Sequence, residues 1–235
     1  MAIDDLPMPV VNFLNVIGVE WPYINEDQVM HFASLARQFG TAVSTTHQDA
    51  TDAVSKIAQA HQGASTQAMQ SGWAELSSKH VSEIVDGCGV LADALEAWAG
   101  YIVVQKGVAI AELVTMAAAF VADQAAAVAT FGLAEAAVPV IIAAAKKLAE
   151  SLIDDLEQYV LGKVIEAAAK PLFAKVESML SGLDWSQSSG GGGSAEGFSL
   201  DMQELTAQTS LLHTHAATMR THATTLQSGL AGLSF

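Results

Sequence analysis

Little in this chain could staple or interrupt it. A single cysteine, Cys88, excludes an intramolecular disulfide, so packing alone must hold the fold. Flanked by Gly87 and Gly89, it reads as a small residue in a helix seam. Five prolines and three tyrosines in 235 residues leave few helix breakers and few aromatic anchors. Basic residues are scarce, 10 against 25 acidic ones, which gives a formal net charge of −15. A phosphate backbone needs a basic footprint, so nucleic acid is excluded as a partner. The same deficit weighs against anionic lipid surfaces. No basic start, apolar run and small-residue cleavage site follow one another. Residues 1–14 are acidic and hold two prolines, so a general signal peptide is not expected.

Catalytic groupings are missing as well. Gly87-Cys88-Gly89 lacks the later glycine and the preceding strand of a phosphate-binding loop. Asp154, Asp155 and Glu157 point to different faces of one helix, whereas paired catalytic carboxylates must converge in a cleft. His213, His215 and His222 share the last helix, but the two on one face are two turns apart, beyond the reach of one metal. They read as surface histidines, with a pH response of that helix's docking as the alternative. No enzyme, metal or cofactor is expected.

What is abundant is alanine, the best helix former, within a chain that is 51% apolar. This composition predicts an all-α fold with thin, close seams. Residues 1–24 read as an irregular lead-in broken by Pro7, Pro9 and Pro22. Asn25 then caps a helix, with Gln28 three residues on and two acids between them. Val29, Val43 and Ile57, with Phe32 and Phe39 beside them, carry that helix to about His61. Gly63, Ser65, Ser71 and Gly72 are loop and cap residues, which predicts a bend at Ser71-Gly72-Trp73. A second helix starts near Trp73, bears Ile84, Leu91 and Trp98, and continues to about Thr130. Two such stripes close on each other as an antiparallel hairpin over residues 26–104.

An Ala-rich helical region follows over 105–182. Gly132 reads as a break, Pro139 lies in the first turns of the next helix, and Pro171 interrupts that helix. The most apolar part, residues 107–145, is broken by Glu112, Asp123 and Glu135, and so reads as a buried core helix rather than a membrane span. Residues 186–197 are a Gly/Ser linker that ends a helical domain of residues 1–185. Beyond it, residues 198–235 form an amphipathic helix. Its docking stripe is Phe198, Leu205, Leu212, Met219 and Leu226, spaced by seven, with Met202, Thr209, Ala216, Ala223 and Leu230 as the adjacent row. A lone helix of this kind needs a surface to dock on. The expected architecture is an elongated helical bundle built on the hairpin, with this extra C-terminal heptad helix.

The hairpin with Gly72-Trp73 at its bend resembles the WXG superfamily of type VII secretion substrates. Trp21-Pro22 ahead of an acidic helix start, the long Ala-rich region, the Gly-rich linker and the final helix are similar to its long actinobacterial form. The N-terminal domain of the mycobacterial outer-membrane channel and necrotizing toxin is of that form. In this chain the motif glycine precedes the tryptophan, which is followed by Ala74 and Glu75. The family's export signal pairs a tyrosine with an acid four residues on. Tyr23 and Asp27 fit, whereas Tyr101 and Tyr159 are followed at that distance by Gln105 and Lys163.

The resemblance implies a noncatalytic targeting and delivery module, the N-terminal part of a secreted polymorphic toxin or an orphan of one. It would be secreted or displayed at the cell surface. Tyr23, Asp27, Gly72 and Trp73 would serve recognition. The implied partners are the type VII secretion ATPase, a small WXG-type helical protein and a toxin domain in cis. Two alternatives stand beside it: a membrane-active protein of channel or pore type, and a structural protein that self-assembles through its last helix into a homo-oligomer.

Overall fold

The computed structural model describes residues 6–61, 63–77, 81–129, 138–182 and 201–234. Among these the fold is all-α, as expected, with no strand. The helices are α1 (Met8–Ile17), α2 (Glu26–Ala60), α3 (Ala64–Leu76), α4 (Ser82–Ala129), α5 (Val138–Tyr159), α6 (Lys170–Gly182) and α7 (Met202–Ala231). A π-helical stretch, Val160–Ala169, joins α5 to α6. The Gly132 break, the 186–197 linker and Phe198 lie outside the described residues.

The chain divides into two compact units. The first takes residues up to His31, then Ala94–Ile165 and the last two residues; the second takes Phe32–Asp93 and Glu166–Leu233. Both α2 and α4 contribute to each.

In the first unit the lead-in is not irregular. Residues Met8–Ile17 form α1, because Pro9 falls in the first turn, where its missing N–H is not needed. Val10, Phe13, Leu14 and Ile17 then make one buried face. The helix stops at Gly18, whose φ of +66° is the left-handed conformation that glycine adopts without strain. Phe13 meets Phe120 of α4, with ring centroids 5.3 Å apart. Tyr101 of α4 stacks on Tyr159 of α5 at 4.5 Å. Leu95, Ile102, Leu113, Leu152 and Leu156 complete this core.

In the second unit the seams are thinner. Arg37 pairs with Asp93 at 2.7 Å, and Gly40 lies against Cys88, so α2 and α4 run antiparallel here. A Cβ at Gly40 would stand 3.1 Å from the Cys88 Cβ, so the helices approach through glycine. Cys88 is buried as expected, and burial pushes its thiol pKa up. On another side of α4, Gly87 receives Leu172 of α6, and Glu83 faces Lys175 at 3.9 Å. Pro171 does not interrupt the helix. The π-helical turns just before it widen the backbone where the ring would otherwise meet a carbonyl one turn back.

The last helix docks in cis. His222 of α7 bonds Thr46 of α2 at 3.0 Å, Gly229 sits on Leu35, and the Asp201 amide donates to His61 Nδ1 at 3.1 Å. As residue numbers rise along α7 they fall along α2, so the pair is antiparallel. Leu205, Leu212, Met219 and Leu226 are half-buried. The adjacent row differs from the expected one, since Met202, Thr209, Ala216 and Ala223 are exposed and only Leu230 of that row is half-buried. The packed row is Gln208, His215, His222 and Gly229, because α2 presents polar Thr46 and bulky Leu35 opposite it.

Candidate functional site

Two places hold the residues that the sequence singles out, one in each unit. In the first unit the chain turns from α1 into α2 at Trp21-Pro22-Tyr23-Ile24-Asn25. Trp21 is buried, and its indole N–H meets no acceptor among the described residues. Tyr23 is 63% exposed. The Asn25 side chain accepts from the Gln28 amide at 3.1 Å, which is half of a capping box. Asp27 is exposed in the first turn of α2, where the helix dipole favours an acid. A cleft of about 430 Å³ opens beside this corner, lined by Leu6, Val11, Leu14, Asn15, Val19, Glu20, Trp21 and Tyr23.

A buried ion pair that the sequence reading missed fixes this corner. Lys106 of α4 is fully buried, donates to the Ile24 carbonyl and reaches Glu26 Oε2 at 3.3 Å. An ammonium buried this deeply needs such partners, since an unpaired one would cost several kcal/mol (about 3–5). The signal was present in the chain: Lys106 is the lone cation between Lys79 and Lys146, within an apolar helix.

In the second unit the predicted bend is displaced. Ser71, Gly72 and Trp73 lie inside α3 rather than at a hinge. The turn that ends α2 is at Gly63, whose φ of +154° belongs to glycine. Gly72 is tolerated in the helix because it is exposed and a Cβ there would meet nothing within 4 Å. No residue of α3 is buried. The helix is held through Trp73, which stacks on His47 of α2 at 5.2 Å and 12° and donates from Nε1 to Thr51 Oγ1 at 2.9 Å. The His47 Nε2 also lies 2.6 Å from Ser77 Oγ. Burial holds the His47 pKa below the ordinary histidine value. Trp73 is therefore an anchor between helices, half-exposed along a cleft of about 410 Å³.

Among the described residues no three metal-binding side chains converge. What both show is shaped surface: an exposed Tyr23 and Asp27 on a fixed corner, and an aromatic anchor on a lightly held helix.

A family model described as WXG100 like domain matches residues 5–147. The chain belongs to the WXG100-like family. The match covers α1 to α4 and the start of α5, and ends before the π-helical stretch, α6 and α7. WXG100-like membership makes this a helical protein related to type VII secretion, in a family that is secreted and noncatalytic. Such domains form complexes with helical partners. No curated protein and no solved structure matches the chain.

The expectation that α4 is a buried core helix holds for one face alone: Leu95, Ile102, Ala109, Leu113 and Ala117 are buried, and the opposite face is exposed. By length and composition α4 could cross a membrane, and only 28% of its most apolar window is buried.

Proposed function

We propose that this WXG100-like chain is a noncatalytic targeting and delivery module for type VII secretion, of the kind that precedes variable toxin domains. The match over residues 5–147 carries this reading. The geometry supports it at the first corner. Tyr23 and Asp27, both exposed, stand four residues apart where the chain enters α2, on backbone held by Lys106. That corner would present the export signal to the secretion ATPase. Trp73 and Gly72 would shape a second surface for a small helical partner.

The test is export of this chain fused to a reporter, from an actinobacterial host with and without its type VII ATPase. Export should vanish without the ATPase. It should also fall at least tenfold in Tyr23→Ala, with an unchanged thermal melt. Export indifferent to the ATPase would remove the reading, and export indifferent to Tyr23 would remove that corner from it.

A second reading, membrane activity, draws on the apolar, largely exposed α4. Acidic side chains at Glu112 and Asp123 oppose insertion at neutral pH and would oppose it less once protonated. Dye release from liposomes at pH 5 tests it, and no release would dismiss it.

A further inference from the structure

The cleft beside the first corner combines three features that nothing else in the fold uses. Leu6, Val11, Leu14 and Val19 give it an aliphatic lining, all within one unit. Trp21 forms part of its wall, is only 5% exposed, and has an indole N–H that meets no acceptor among the described residues. A buried donor without a partner costs about 1–3 kcal/mol, and native folds satisfy such groups with protein, water or ligand. Glu20 and Tyr23 border the cleft with exposed side chains, and no lysine, arginine or histidine lines it.

The walls are set before anything binds. After α1 the chain reverses at left-handed Gly18, and the Val19 amide donates to the Leu14 carbonyl at 3.1 Å. The Ile24 amide donates to the Pro22 carbonyl at 3.1 Å, and Lys106 holds the Ile24 carbonyl. A preformed cleft of about 430 Å³ has the size of a ligand site and loses little freedom when filled.

We propose that this cleft binds an extended peptide segment of another protein, with an aliphatic residue next to an arginine. Each feature of the cleft selects one feature of the occupant. The aliphatic lining takes a leucine-sized side chain out of water. The Trp21 N–H requires a carbonyl that is not already bonded. A helix has spent its carbonyls except in its last turn, whereas an extended segment has them free. The Glu20 carboxylate calls for a cation, and the exposed Tyr23 ring favours a guanidinium, which packs on an aromatic face better than an ammonium does. The net charge of −15 draws basic segments toward the chain. A phospholipid headgroup is the poorer occupant, because it brings negative charge to a cleft that holds a carboxylate and no cation. Glu20 and Trp21 have no part in the export reading, so this recognition stands apart from it.

The test is a titration of the full chain with acetyl-Leu-Arg-amide to about 20 mM, followed by proton–nitrogen NMR of the indole N–H groups, with a dissociation constant of about 1 mM expected for so small a probe. The Trp21 signal, identified by its absence in Trp21→Phe, should move downfield as its proton gains an acceptor, while the other indole signals hold still. Acetyl-Gly-Arg-amide, which lacks the aliphatic side chain, and acetyl-Leu-Glu-amide, which reverses the charge, should each bind at least tenfold more weakly. Glu20→Gln should weaken acetyl-Leu-Arg-amide at least threefold with an unchanged thermal melt, because Glu20 is exposed. A Trp21 signal unmoved at the highest concentration overturns the proposal. So does equal binding of acetyl-Leu-Glu-amide, or binding indifferent to Glu20→Gln. A Trp21 signal moved by phosphatidylcholine vesicles and not by the peptide makes a lipid the occupant and overturns it too.

Discussion

Two stripes with the same three-four spacing meet opposite fates in this molecule. On α7 the seam mixes leucines and methionine with Gln208, His215 and His222, and it is packed on α2. On α4 the outward seam, Ala111, Val114, Ala118, Val121, Ala125 and Val128, is alanine and valine only, and it faces solvent. The more polar stripe is covered and the more apolar one is not. Apolar content therefore does not decide which face turns inward. On α4 the opposite face carries the larger side chains Ile102 and Leu113, together with Lys106 and its acceptors Glu26 and Ile24. On α7 the large apolar side chains are leucines and methionines, and α2 supplies a hydrogen-bond partner, Thr46, for His222.

The strongest way to break this comparison is to remove what fixes the face of α4. Lys106→Ala removes the ammonium that faces the buried Glu26 carboxylate, and should cost about 3–5 kcal/mol by urea unfolding. Replacing both, with Lys106→Met and Glu26→Gln, should recover most of that, since a buried pair is often matched by well-packed neutral groups. If the double variant is stable but its outward valines become buried, Lys106 selects the inward face of α4. A single Lys106→Ala variant that melts like the parent would mean that the ammonium is hydrated in solution.

Next in size is Trp73→Ala. The stack on His47 and the bond to Thr51 together contribute roughly 1–3 kcal/mol. Because α3 buries no residue of its own, the loss should be local. Amide exchange should speed up across residues 64–76 while α4 and α5 keep their protection. Uniform acceleration through all helices would show that α3 is coupled to the whole fold.

The comparison itself is sharpened by a matched pair of truncations. Leu212→Ala, in the covered seam, removes half-buried apolar surface and should cost about 1–2 kcal/mol. Val114→Ala, in the open seam, should change stability by less than about 0.5 kcal/mol at low micromolar concentration. Equal costs at the two sites would mean that the α4 stripe is already covered in the single chain.

How much of this was legible in the sequence varies with the physics involved. The start of α2 was readable, because a cap is a local device: Asn25 bonds the Gln28 amide three residues on. The alanine-rich, proline-poor composition was enough for the helical class. The three punctuation errors share one cause. Pro9, Gly72 and Pro171 were read as breakers, but each sits where its defect does no harm: a first turn, an exposed helix face, and the end of a π-helical stretch. The second row of α7 could not be read locally. Met202, Thr209, Ala216 and Ala223 look the better seam until Thr46 and Leu35 are known to lie opposite Gln208, His215, His222 and Gly229. Lys106 could have been found, as a lone cation on an apolar helix face, but its partners Ile24 and Glu26 are some eighty residues away along the chain.

The smallest expected effect is a pH response of α3. Burial depresses the His47 pKa in the folded chain. The native state therefore binds fewer protons than the unfolded state below the ordinary histidine value of about 6.5. The stability contributed by neutral His47 is fully present above that pH, and it declines as the pH falls through it toward the depressed folded value. Once His47 is protonated, both ring nitrogens are donors, so Nε2 can only donate to Ser77 Oγ. Fluorine NMR of 5-fluorotryptophan-labelled chain separates this from general acid effects. The Trp73 resonance, identified by its absence in Trp73→Phe, should shift between pH 7 and pH 5, whereas that of buried Trp21 should hold still. In His47→Gln the Trp73 shift should disappear, because the ring that titrates beneath the indole is gone. A Trp73 resonance that moves equally in His47→Gln would place the titration elsewhere, and would leave α3 held by the indole alone.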